Sequence, residues 1–69
     1  MKKIVLTGAA GRLGSYLREP LTKMADSLVS TDIGEDSGKL YDGETYQQGD
    51  LANLEDMMRV LKGADMVVH

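Results

Sequence analysis

An apolar run that breaks into three glycines, each three residues from the next, constrains this chain more than any other feature. In Lys3 to Thr7 (KIVLT) the apolar residues Ile4, Val5 and Leu6 are continuous rather than alternating, as in a parallel strand covered on both faces. The turn Gly8-Ala9-Ala10-Gly11-Arg12-Leu13-Gly14 follows at once, and helical spacing begins within it. Strand, glycine turn and helix in that order bring bare peptide N–H groups and the positive end of a helix to one sheet edge. Gly8 permits a sharp turn off the strand. Gly11 lets backbone and helix terminus approach a diphosphate, and Gly14 lets the helix pack closely on the first strand.

The remaining elements alternate in the manner of an α/β chain. Leu13, Leu17, Leu21 and Met24 define one helical face, so Leu13 and Leu17 are expected to pack on the sheet. Pro20 inside that helix predicts a kink, or a stop and restart, near Glu19-Pro20. Ser27 to Thr31 (SLVST) reads as a second strand with Asp32 at its carboxyl end. The polar, glycine-containing stretch Ile33 to Gly43 stands as a loop where a regular βαβ repeat would carry a helix. Glu44 to Gln48 is a short third strand.

Asn53 is placed to cap a second helix, with Asp56 in its first turn and Leu54, Met57, Met58 and Leu61 at helical spacing. Met57 and Met58 read as core filling. Gly63 suits the residue beyond that helix, and Asp65 to His69 begins a last strand. Arg18, Glu19, Glu55, Asp56, Arg59 and Lys62 read as solvated helix faces, with Glu55 and Arg59 at pairing distance along a helix. Right-handed crossovers then give a four-stranded parallel sheet in order 3-2-1-4 with one helix on each face. That is the first half of a doubly wound sheet, a partial dinucleotide-binding Rossmann fold.

The acidic residue after the second strand gives the glycine turn its chemical context. A carboxylate at Asp32 can accept hydrogen bonds from both hydroxyls of an adenosine ribose and repels a 2′-phosphate, which favours NAD over NADP. Arg12 acts in the opposite direction, since a guanidinium in this turn could reach such a phosphate. The carboxylate outweighs it. Asp50-Leu51 follows the third strand at the same edge, where it can meet an adenine amino group and ring, or simply start the turn into the next helix. Spacing leaves both open.

Composition narrows the function classes. Sixty-nine residues make one small domain, below the usual size of an enzyme with its own substrate pocket. A formal charge of −3 offers no footprint for nucleic acid or an anionic membrane. The absence of cysteine excludes disulfides, thiolate metal sites and cysteine nucleophiles. No apolar run approaches the roughly 20 residues that span a bilayer. The MKK start is not followed by a signal-peptide core, so a cytoplasmic location is expected. His69 has no companion ligands for a metal, and Tyr41 and Tyr46 receive no role.

The stretch TGAAGRLG at 7–14, Asp32, Gly49-Asp50-Leu51 and the Val67-Val68-His69 ending together resemble the extended short-chain dehydrogenases/reductases, also described as the NAD-dependent epimerase/dehydratase family. Within it, TGAAGRLGSYLREPLTKMAD is most similar to the start of the uronate dehydrogenase branch, which oxidises sugar acids with NAD. The resemblance implies that residues 1–69 are the N-terminal part of a larger dinucleotide-binding domain. It further implies that Gly8, Gly11 and Gly14 with the backbone of Arg12 and Leu13 hold the diphosphate. Asp32 would hold the ribose, with Ile33, Asp50 and Leu51 at the adenine.

The family's catalytic Tyr-x-x-x-Lys pair has no match, because Pro20, Thr45 and Asp50 stand four residues after Tyr16, Tyr41 and Tyr46. The chain alone is therefore not expected to transfer hydride; it is read as the NAD-binding segment of a full-length parent, to which the sugar acid or sugar nucleotide belongs. A non-catalytic NAD(P) sensor is the competing expectation. So is a fold fragment that self-associates through the uncovered edge around Met66-Val67-Val68.

Overall fold

Three consecutive apolar residues in a strand must face alternate sides, so Ile4 and Leu6 need cover on one face of a sheet and Val5 on the other. The computed structural model, which describes residues 2–34 and 38–69, supplies both covers. The elements are β1 (Lys3–Thr7), α1 (Arg12–Met24), β2 (Ser27–Asp32), β3 (Glu44–Gln48), α2 (Leu54–Leu61) and β4 (Met66–Val68). All pairings are parallel, and the strand order is β3-β2-β1-β4, as the crossover rule predicts. Ile4, Leu6 and Leu28 pack with Leu21 and the half-buried Leu17 beneath α1. Val5 and Val29 pack with Val60 beneath α2 on the opposite face. Each fully buried aliphatic side chain contributes about 2 kcal/mol.

The strands and caps follow the sequence closely. Asn53 accepts the Asp56 N–H at 3.1 Å and starts α2. No described residue between β2 and β3 is helical; Glu35, Asp36 and Ser37 of the expected loop lie outside the described residues. β4 is shorter than expected and forms one edge of the sheet, with Met66 and Val67 partly exposed. Among the described residues, no helix is long and apolar enough to cross a membrane.

The helix faces differ from the sequence expectation. The buried side of α1 is Gly14, Arg18 and Leu21 with Leu17 beside them, while Leu13 and Met24 are 71% and 64% exposed. At 100° per residue this inner face is turned by roughly 60° from the one that the leucine spacing defines. In α2 the fully buried residue is Val60, with Met57 and Leu61 half-buried, whereas Leu54 and Met58 are exposed rather than core filling. Arg59 pairs with Asp56 at 3.5 Å, not with Glu55, because its guanidinium also reaches back to the Gln48 carbonyl at 2.9 Å. α1 runs without interruption through Pro20, so the stop and restart does not occur. Residues 16 and 20 both lie on the exposed side, which leaves the carbonyl that Pro20 cannot satisfy on the solvent face.

Arg18 is the largest departure, since it is 7% exposed rather than solvated. Its Nε donates to Glu44 Oε2 at 2.7 Å and its Nη2 to Oε1 at 3.0 Å, a two-pronged pair between α1 and the start of β3. Nη2 also donates to the Lys39 carbonyl at 2.8 Å, and the guanidinium stands 5.5 Å over the Tyr41 ring. Glu44 accepts two further hydrogen bonds, from the Ser30 hydroxyl and from the Tyr41 N–H at 2.9 Å. The pair thereby fastens the loop before β3 to the helix. Burial by itself pushes the Glu44 carboxyl up. The hydrogen bonds from Arg18, Ser30 and the Tyr41 amide, together with the Arg18 charge, outweigh it and hold the group below its ordinary 4.5.

A carboxylate held below its unfolded value stabilises the fold above that value and loses its contribution as pH falls through the folded one. Glu44→Gln is expected to cost about 2 kcal/mol at neutral pH by weakening the charge-assisted bonds to Arg18. The gap to the parent protein should shrink as the pH falls from 4.5 through the lower value at which the folded Glu44 takes up its proton. Urea unfolding at a series of pH values, followed by circular dichroism, measures it. A gap that stays constant into acid would contradict this account of the pair.

Candidate functional site

The carboxyl ends of all four strands meet at one edge, and the residues that end or follow them shape a cleft there. Gly8 leaves β1 at φ +65°, a left-handed conformation that lets the chain reverse toward the helix. The turn is then stitched down. Ala9 N–H donates to the Thr31 carbonyl at 3.1 Å and Gly11 N–H to the Gly8 carbonyl at 3.0 Å. α1 opens with Gly11 as its cap, which has no side chain to satisfy the helix. Ser15 N–H makes the first intrahelical bond, to the Gly11 carbonyl at 2.9 Å. The N–H groups of Arg12, Leu13 and Gly14 therefore have no partner within the helix. Such an uncapped terminus behind a bare turn suits an anion with several oxygen acceptors.

Gly14 sets how near that terminus comes. A Cβ built on it would lie 2.2 Å from the Gly8 carbonyl oxygen and 2.9 Å from Ala9 Cα. No side chain fits there, and the close approach is to the turn that follows β1.

Asp32 ends β2 beside the turn. Its Oδ2 accepts the Ala10 N–H at 2.9 Å and its Oδ1 the Ile33 N–H at 2.7 Å. Each oxygen retains a lone pair for a further donor. The carboxylate is thus oriented by the glycine turn itself. Asp50 follows β3, where its Oδ1 accepts the Ala52 N–H at 2.9 Å and its N–H donates to Asp56 Oδ2 at 3.0 Å. The Asp50 amide is the main influence that holds the Asp56 carboxyl below its ordinary value, against the opposing effect of burial, and the Arg59 hydrogen bond and charge add to it. Of the two roles open to Asp50, the turn-forming one is realised, and its second carboxylate oxygen makes no hydrogen bond among the described residues.

Gly8, Asp32, Ile33, Asp50 and Leu51 line one cleft of about 330 Å³ together with Thr7, Thr31, Gly49 and His69. Gly11, Leu13 and Gly14 line an adjoining hollow of about 200 Å³ that shares Thr7, Gly8 and His69 with the first. Arg12 borders neither and is exposed. Leu13, expected on the sheet, instead lies beside the turn. Sequence reasoning left Thr7, Thr31 and Gly49 unassigned. Thr7 Oγ1 lies 2.7 Å from His69 Nδ1, and Thr31 is fully buried with no partner for its Oγ1 among the described residues. Their only signal in the sequence is position, at or just beyond the last residue of a strand. No cluster of three metal-ligating side chains occurs among the described residues.

A strand–glycine turn–helix with an anchored strand-end carboxylate is a common arrangement, and the whole sequence decides which family this one represents. Residues 4–69 match the model of the NAD dependent epimerase/dehydratase family. The chain belongs to that family. The uronate dehydrogenase of Pseudomonas syringae pv. tomato is 39% identical over 67 residues, covering 97% of this chain and 24% of that protein. The crystal structure of a uronate dehydrogenase mutant from Agrobacterium tumefaciens complexed with NAD superposes with a TM-score of 0.90 at 36% identity, covering 100% of this chain and 26% of that one. Glucuronic acid dehydrogenase from Chromohalobacter salexigens gives a TM-score of 0.89 at 31% identity, covering 99% and 25%. The chain thus spans about a quarter of the length of these relatives.

Gly14→Ala tests the close approach. Alanine favours a helix over glycine by about 1 kcal/mol. A contact of 2.2 Å with the backbone oxygen of Gly8 should override that gain and leave a net loss of about 1–3 kcal/mol. The exposed Ser15→Ala should change stability by no more than about 0.5 kcal/mol. Denaturant unfolding of both variants in the full-length protein makes the comparison, and a Gly14→Ala variant as stable as the parent would rule the contact out.

Proposed function

We propose that this chain is the NAD-binding, N-terminal part of a dehydrogenase that oxidises a sugar acid in the manner of the uronate dehydrogenases. One observation carries the reading: the Asp32 carboxylate is anchored by the Ala10 N–H of the glycine turn, so diphosphate donors and ribose acceptor form one rigid unit. In this reading the free N–H groups of Arg12, Leu13 and Gly14 take the diphosphate, with Gly8 and Gly11 admitting it. Asp32 takes the ribose hydroxyls through its remaining lone pairs. Ile33 and Leu51 flank the adenine, and the unused oxygen of Asp50 accepts from its amino group. A carboxylate already fixed by two amides has no room to yield to a 2′-phosphate, which supports NAD rather than NADP.

Bound NAD supplies a hydride acceptor. The residues of this chain bind and orient its adenosine half, and the base that takes the substrate proton lies elsewhere in the full-length protein. None of the three tyrosines here is followed by lysine four residues later. The partly exposed β4 edge then belongs against a following part of the same polypeptide. Taken alone, the 69 residues should self-associate along it, and light scattering showing a stable monomer would contradict this.

Asp32→Ala in the full-length protein is expected to weaken NAD about ten- to a hundredfold, since a hydrogen-bonded charge is worth about 1.5–3 kcal/mol. It should also narrow the preference over NADP. Titration calorimetry with each coenzyme measures both effects, and unchanged affinities would overturn the assignment of the ribose.

A further inference from the structure

Two side chains of β3, neither absorbed by the coenzyme reading, hold the backbone that carries Asp32. The Tyr46 hydroxyl stands between two carbonyls, 3.1 Å from that of Asp32 and in hydrogen-bond contact with that of Gly34. Gln48 Nε2 donates to the carbonyl between them, that of Ile33, at 3.1 Å. Three successive carbonyls, from the last residue of β2 onward, are therefore met by side chains of the neighbouring strand. Gly49 N–H adds a bond to the Asp32 carbonyl at 3.0 Å. On the other side, the Asp32 carboxylate is held by Ala10 and Ile33 N–H. Ile33 itself is 67% exposed at the rim of the cleft, an apolar side chain displayed rather than buried.

We infer that Tyr46 and Gln48 are positioning residues for coenzyme selectivity. They pin the turn at residues 32–34 so that the Asp32 carboxylate cannot swing away from the ribose site and Ile33 stays at the cleft. The inference rests on the proposed NAD reading and deepens it. Asp32 can leave the ribose position only if its bond to the Ile33 N–H breaks or the peptides around it rotate. The carbonyls of those peptides are the groups that Tyr46 and Gln48 hold. A 2′-phosphate could be admitted only by such a rotation, so the two side chains oppose NADP without touching it. Specificity of this kind comes from making the wrong ligand break bonds within the protein.

Calorimetric titration of the full-length protein with NAD and, separately, NADP tests this in Tyr46→Phe, Gln48→Ala, Asp32→Ala and the Tyr46→Phe/Asp32→Ala pair. Each of the first two should weaken NAD about three- to tenfold, the worth of one or two hydrogen bonds, and leave NADP bound no more weakly, or more tightly. In the Asp32→Ala background the Tyr46→Phe effect should vanish, because the carboxylate through which it acts is gone. Gln48 is exposed, so its variant is expected to fold whatever Tyr46→Phe does. Equal weakening of both coenzymes, or an effect that persists without Asp32, would show a merely structural role and overturn the inference. So would unchanged NAD affinity in both single variants while Asp32→Ala loses it, and the coenzyme reading would then survive. If Asp32→Ala leaves NAD unaffected, that reading falls and this inference with it.

Discussion

The constraint on which the rest depends is the lack of room at Gly14, where a Cβ would lie 2.2 Å from the Gly8 carbonyl oxygen. A side chain at Gly14 would enter the backbone of the turn, so glycine is what allows α1 to present that position inward. Once Gly14 is inside, helical geometry puts Arg18, Leu21 and Ala25 on the same side and rotates Leu13 and Met24 out. Arg18 then lies under the helix, where an unpaired guanidinium would be costly. Glu44, at the start of β3, meets it with both carboxylate oxygens. The buried ion pair is thus a consequence of the glycine turn rather than an independent feature. It also explains how β3 and its preceding loop are kept in place although no described residue between β2 and β3 is helical.

The same constraint shapes the site. Bringing the helix terminus down onto the turn leaves three N–H groups facing the strand ends with no capping side chain. Ala10 N–H points to Asp32, so an acceptor and a set of donors become parts of one hydrogen-bonded frame. Preorganisation of this sort lowers the entropy that a ligand must lose on binding. It also gives the strand-end carboxylate a fixed direction, which a flexible surface aspartate lacks.

Much of the fold was legible in the sequence, and the reason is that the strands answer to local rules. The continuous apolar run of β1, the turn residues and the Asn53 cap each act within a few positions, and crossover handedness then leaves one strand order. The helix faces answered to a longer-range rule. Leucine spacing placed Leu13 and Met24 inside, and only the tertiary approach at Gly14 reveals the rotated face. Arg18 was unreadable for a related reason. Its partner is in β3, 26 residues away, and charged residues on an amphipathic helix are solvated by default. Within the candidate site, the turn and Asp32 carried a motif, so they could be found. Tyr46 and Gln48 act through carbonyls that no side-chain pattern records, and Thr31 is marked only by its place at a strand end.

A division of labour follows from where these groups sit. On the proposed reading, the groups assigned to the adenosine half of NAD lie within this chain, remote from the hydride that would move. Interactions with a non-reacting part of a coenzyme are made equally before and during the chemical step, so they contribute affinity and selectivity rather than rate. Their value to catalysis is to fix the nicotinamide at a known distance from residues supplied elsewhere, and that requires a rigid frame more than a tight one. The structure meets that requirement with backbone: an uncapped helix, a turn of only glycine and alanine, and a carboxylate held by amides. Side chains at the exposed rim can then vary with little effect on the frame, whereas Gly14, Arg18 and Glu44 cannot vary independently of one another.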